Sequence, residues 1–189
     1  MVIKSTTIVM FIAFFLFGRT VFADNLEIND SLKQISYQKK VNWSVAKIKS
    51  QEDLILYSQN NDSVLDLLSP ESKRLFVDSI IFRDNGVAGY RFDILESELT
   101  PTQIYQVLSL IGQQHNVHVF KKARIESEED IILLSKPEMS SAIKEGISNK
   151  AGFIENMGGM GNSIDHNGYK CQSKGTCKIS SVYICTSNC

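Results

Sequence analysis

The first strong pattern in the chain is an apolar run, Ile8 to Phe17, ten residues without a polar interruption. Lys4 precedes it, Gly18, Arg19 and Thr20 end it, and Val21-Phe22-Ala23 sets small residues at the third and first positions before a cut after Ala23. A positive start, a short apolar stretch and small residues at the cut are the physical requirements of a cleavable secretory signal. Residues 1–23 are therefore predicted to be a signal peptide, with Asp24 opening the mature chain. A membrane-spanning helix needs about 20 apolar residues, so no stable anchor is expected after cleavage. Asp24 stands where a lipid-anchored product would carry cysteine.

Residues 24–135 hold nearly all of the periodic apolar pattern and are predicted to form one globular domain. In Leu68-Ser69-Pro70-Glu71 the serine can cap free N–H groups and the proline suits the first helical position. Leu75, Phe76 and Ile80 then give that helix an apolar face. Ile80 to Arg83, the turn Asp84-Asn85-Gly86 and Val87 to Ile94 read as a β-hairpin, since Asn and Gly tolerate the positive φ of tight turns. Thr100 and Gln103 stand at capping-box spacing around Pro101, and Ile104, Val107, Leu108 and Ile111 form the buried stripe of the helix they start. The alternation from Asn116 to Phe120 predicts a strand, and Ser127-Glu128-Glu129-Asp130 opens a short helix or strand that ends near Leu134. Val41 to Ile48 and Leu54 to Tyr57 fit strands flanking polar turns, although runs this short suit a helix as well.

The pattern then breaks. Residues 136–164 are rich in Gly, Ser, Asn and Met, which predicts a flexible linker. Its Met157-Gly158-Gly159-Met160-Gly161 string makes Gly158 and Gly159 candidate processing positions, because proteases cut exposed flexible segments. Residues 165–189 hold all four cysteines of the chain, Cys171, Cys177, Cys185 and Cys189. An even, clustered count in an exported chain predicts two disulfides, and the spacing leaves three connectivities open. Gly175 supplies a turn and Lys178 to Ile184 a strand, so this tail is predicted to be a small stapled hairpin. The expected class is α+β: a mixed helix and antiparallel-hairpin domain, a Gly-rich linker and a disulfide-stapled C-terminal module.

Charge narrows the partners. Loss of Lys4 and Arg19 leaves 18 basic against 21 acidic side chains, a formal charge of −3. Phosphate binding rests on clustered Lys and Arg, so nucleic acid is not an expected partner. Chemistry-bearing motifs are few. A zinc site on the same thiols, with His166, lacks the usual C-x2-C pairs, and no cofactor is expected. His115 and His118 have no matched carboxylate in sequence and read as surface or loop histidines. The G-x-S-x-G elbow and the G-x-x-x-x-G-K-[ST] loop are both missing. Asp93 with Glu96, or Glu96 with Glu98, could act as acid and base only if the fold brought them together. Asn29, Asn42 and Asn61 fit the glycosylation acceptor pattern.

Secreted or periplasmic, and without an enzymatic motif, the chain reads first as a non-enzymatic binding protein for a protein or cell-surface partner. A second reading is the precursor of a secreted Cys-rich peptide, a toxin, bacteriocin or signal, released by cleavage in the linker. The third is an exported enzyme whose site is assembled from residues far apart in sequence, with His118, Asp93 and Glu98 as the residues to watch.

Overall fold

A computed structural model describes residues 33–60, 62–135 and 164–189; the predicted signal segment with its cut at Ala23 and Asp24, and most of the predicted linker with Gly158 and Gly159, lie outside them. Residues 33–45 form helix α1. They are followed by α2 (Gln51–Ser58), a short 3-10 turn (Val64–Leu67), α3 (Pro70–Ser79), β1 (Ile81–Arg83) and β2 (Gly86–Arg91). Then come α4 (Asp93–Glu98), α5 (Pro101–Leu110), a 3-10 turn (Gln114–Val119), α6 (Glu128–Ser135), β3 (His166–Ser173) and β4 (Thr176–Cys185).

Cap chemistry decides several of these elements. The Ser69 side chain accepts from Ser72 N and Pro70 opens α3. At α5 the reciprocal box forms as the spacing predicts, Thr100 with the Gln103 backbone and Gln103 with the Thr100 backbone. Cap chemistry also corrects the strand reading of Leu54 to Tyr57. Ser50 Oγ accepts from Asp53 N while Asp53 Oδ2 accepts from Lys49 N, both at 3.1 Å, and these bonds start a helix that a short apolar run alone does not announce. Val41 to Val45 belongs to α1 rather than to a strand. The inward side of α1 includes Lys39 and Asn42 as well as Trp43, so hydrophobicity alone does not trace it.

Two further expectations change. The second strand of the first hairpin stops at Arg91, whose guanidinium takes Asp93 in two hydrogen bonds of 3.0 and 2.6 Å. The chain then coils into α4, where the adjacent Ile94 and Leu95 are both buried. The predicted strand at Asn116 to Phe120 is a 3-10 turn, because α5 ends in a tight cap and the chain keeps turning. Gln113 N donates to Leu108 O at 2.8 Å and Gly112 N to Ser109 O at 3.3 Å, the paired bonds of a Schellman end with Gly112 at φ 69°. A Cβ on Gly112 would lie 3.0 Å from Trp43 Cα and 3.1 Å from Asn42 O. Gly112→Ala is therefore expected to cost about 1–3 kcal/mol through strain and displacement of α1, readable as a lower urea midpoint. An unchanged midpoint would mean that α1 yields freely at this contact.

The architecture is α+β, with one antiparallel four-stranded sheet in the order β1-β2-β4-β3. The C-terminal hairpin is continuous with the rest: β4 lies against β2, with Gly89 opposite Cys185, Tyr90 opposite Ile184 and Arg91 opposite Tyr183. The main core gathers Phe76, Tyr90, Leu95, Leu108 and Phe120 from residues 33–135 and Ile184 from the hairpin, each almost fully buried. A second cluster joins Ala88 to Cys171, Cys185 and Cys189. Among the described residues no helix is long and apolar enough to cross a membrane.

Candidate functional site

Where the hairpin joins the rest, three stretches of chain converge on Asp165, whose side chain is only 7% exposed. Lys39 Nζ of α1 donates to Oδ1 at 2.7 Å and the Ser187 backbone N at 2.8 Å. His115 Nε2 and Asn116 Nδ2, both on the 3-10 turn after α5, meet Oδ2 at 2.9 Å each. Each oxygen thus takes two bonds, which fills the accepting capacity of a carboxylate. Burial alone would raise its pKa. The His115 hydrogen bond and the nearby Lys39 charge outweigh that and hold the Asp165 carboxyl well below the usual carboxylate range.

The surrounding groups are ordered around this charge. Gln38 Nε2 donates to Asn42 Oδ1 at 2.9 Å, which turns the Asn42 amide nitrogen toward His115 Nδ1 at 3.3 Å. With Nδ1 accepting, the imidazole carries its hydrogen on Nε2, facing Asp165. Burial, and then the Asp165 charge, push the Tyr90 phenol far above its ordinary pKa, with Asn116 pulling the other way, so the hydroxyl stays neutral. Above the cluster opens a cavity of about 460 Å³, lined among others by Lys39, Lys40, Trp43, Asp84, His115 and Asn188.

The chemistry of this arrangement is that of a latch. Lys39 Nζ also donates to Ser187 Oγ, at 3.1 Å. A serine nucleophile requires a neighbour that takes its proton, whereas Lys39 gives a hydrogen bond to this hydroxyl. The ammonium, carboxylate and imidazole bind one another and fasten the start of β3 and the turn after β4 to α1.

The cysteines form two nested bridges inside the hairpin, Cys171 with Cys189 and Cys177 with Cys185. Sulfurs of Cys171, Cys185 and Cys189 lie within 4.8 Å of one another, but a metal needs thiolates and each of these is spent in a bridge. The His166 ring packs edge-on against Tyr169, with centroids 5.9 Å apart.

The other residues singled out from the sequence are not gathered at one site. Asp93 pairs with Arg91, Glu96 accepts from Lys122 N, and Glu98 accepts from Ser69 and Ser72 at the start of α3. His118 Nδ1 donates to His115 O at 2.9 Å. His115 is the residue the sequence reading misplaced: it is largely buried and does have a carboxylate partner, supplied from 50 positions away. Asn42, a candidate glycosylation acceptor, is 4% exposed with its amide engaged on both sides, so the folded chain does not offer it. Lys39, Asn116, Asp165 and Ser187 carry no motif, and nothing in their local sequence joins them. Asp130 is a comparable structural hub, accepting from Thr102, Glu126 and Ser127 and tying the start of α6 to the start of α5.

No family model, no curated protein and no solved structure matches this chain.

Proposed function

We propose that this is an exported, non-enzymatic binding protein that presents its stapled hairpin to a protein or cell-surface partner. The carrying observation is the outer part of that hairpin. Only Tyr183, Ile184 and Cys185 of β4 pair with β2, so the turn end of the hairpin projects past the sheet. There Ile179 is 84% exposed opposite Tyr169, which is 37% exposed. Lys170 lies directly opposite Lys178, and Lys174 sits in the turn. Like charges facing each other across a strand pair destabilise it. Their presence in the most cross-linked part of the chain supports contact with an acidic partner. The disulfides support an oxidising destination, in keeping with the expected export signal.

Deleting the tail would remove β4 from the sheet, so surface substitutions are the sound test. In capture from the native extracellular or periplasmic fraction, Ile179→Glu and the pair Lys170→Ala, Lys178→Ala are expected to lower recovery of a specific partner at least about tenfold, with a cooperative thermal transition retained in each. Full recovery by both variants would sink the proposal.

A second reading is favoured by a separate observation. Both bridges close within residues 171–189 and neither reaches residues 33–135. Cleavage at Gly158-Gly159 would therefore free a covalently closed peptide of about thirty residues, the rest of the chain serving as its escort or immunity-like cover. Mass spectrometry of the culture supernatant separates the two. Intact chain beginning at Asp24, with no small bridged fragment, counts against the precursor.

A further inference from the structure

We infer that residues 33–135 form a receptor for the stapled hairpin, one that holds it as a separate chain after the connection between them is cut. The inference deepens the precursor reading and rests on it only for the natural cut. The binding geometry is present either way.

The hairpin meets the rest of the protein as a ligand meets a site. It brings its own covalent closure in two bridges and no bridge to its neighbour. It docks by strand addition along the edge of β2 that β1 leaves open, the mode in which main-chain bonds give affinity and side-chain pockets give specificity. The β2–β4 pairing is extended beyond the strand ends by Phe92 N to Val182 O at 3.0 Å and Thr186 N to Ala88 O at 2.9 Å. Thr186 Oγ1 and Asn188 Nδ2 both donate to Val87 O. Ile184 supplies the apolar anchor in the main core, and Cys171, Cys185 and Cys189 close over Ala88.

Two features make the fit selective. Gly89 has no side chain where one would collide: a Cβ there would lie 2.8 Å from Ile184 O and 3.7 Å from Cys171 Cβ. The strand can approach only because this position is glycine. Asp165 then enters a preset cradle of Lys39, His115 and Asn116, so the site demands an acidic residue just before the first strand of its ligand. Without the hairpin, β2 would expose an unpaired edge and the cradle would hold buried cationic and polar groups without their anion, both costly.

The test uses the full chain with a specific protease sequence, flanked by Gly-Ser spacers, inserted between Gly158 and Gly159, and cut to completion. At about 1 μM, gel filtration and native mass spectrometry are expected to show both pieces in one complex with the mass of a single chain, separating only in denaturant. In the cut protein, Gly89→Val and Asp165→Ala are each expected to raise the released fraction at least about tenfold, while Gln172→Glu, at an exposed position of the hairpin, leaves it unchanged. Free hairpin from the cut wild-type chain under native conditions would overturn the inference, independently of whether either variant folds. A complex of twice the expected mass would overturn it too, since the hairpin would then sit on a second copy. Finding only intact chain in the supernatant defeats the precursor reading and leaves this result standing. Free hairpin from the engineered cut does the reverse.

Discussion

Asp165→Ala is expected to lower the unfolding free energy by about 3–5 kcal/mol, the cost of removing one member of a buried ion cluster and leaving the others without compensation. For a domain of this size that is a fall in melting temperature on the order of 10 °C. The magnitude follows from what remains. Lys39, His115, Asn116 and the Ser187 backbone N all lose an acceptor at once, and water entering from the adjoining cavity replaces the carboxylate's hydrogen bonds but not its charge. Asp165→Asn keeps the shape and one oxygen but turns an amide donor toward groups that donate, so it is expected to recover only part of the loss.

The same residue fixes a pH signature. Its folded carboxyl titrates well below the ordinary range, while in the unfolded chain it titrates near the free value of about 3.9. A depressed folded pKa gives stability that is fully present above the unfolded value and is lost as pH falls from there toward the folded one. The stability gap between wild type and Asp165→Asn, from urea unfolding, should therefore shrink steadily as pH falls below about 4. Asp130 is also depressed, against the opposing effect of burial, by the Glu126 and Thr102 hydrogen bonds, so both proteins lose some stability in acid. The difference between them reports the cluster around Asp165 rather than Asp130. A gap that stays constant down to pH 2 would show that the carboxylate is not held by its partners.

The contrast between Asp165 and Thr100 shows what a sequence makes legible. Thr100, Pro101 and Gln103 interact across three positions and their chemistry is local, so spacing alone announces the helix. The same holds for Ser69 with Pro70 and for the turn at Gly175 between two bridged strands. Asp165 finds Lys39 at 126 positions and His115 at 50, and no spacing rule spans such distances. The α1 helix is obscured for a related reason: Lys39 and Asn42 on its inner side satisfy a buried charge and an amide network, so the face does not read as apolar. Residues 114–119 mislead because alternation normally signals a strand, yet Asn116 and Val117 are both buried. A side-chain network and the α5 cap override the period there.

The nested bridges yield the second large effect, and their order is informative. Cys171 and Cys189 are 18 positions apart, Cys177 and Cys185 only 8. If a bridge acts by removing freedom from the unfolded chain, the outer one is worth about 3 kcal/mol and the inner about 2.5 kcal/mol. Cys171→Ala with Cys189→Ala should then lower the melting temperature more than Cys177→Ala with Cys185→Ala. Burial argues the same way, because Cys171 and Cys189 are both buried in the second cluster, whereas of the inner pair Cys185 is buried there and Cys177 only partly. Thermal unfolding of the full chain, with the surviving bridge confirmed by mass under non-reducing conditions, checks the order. A larger drop for the outer pair is the expected result. A larger drop for the inner pair means that Cys185 matters first as packing beneath β2, and that the seat of the hairpin is held by its sulfur as much as by the latch at Asp165.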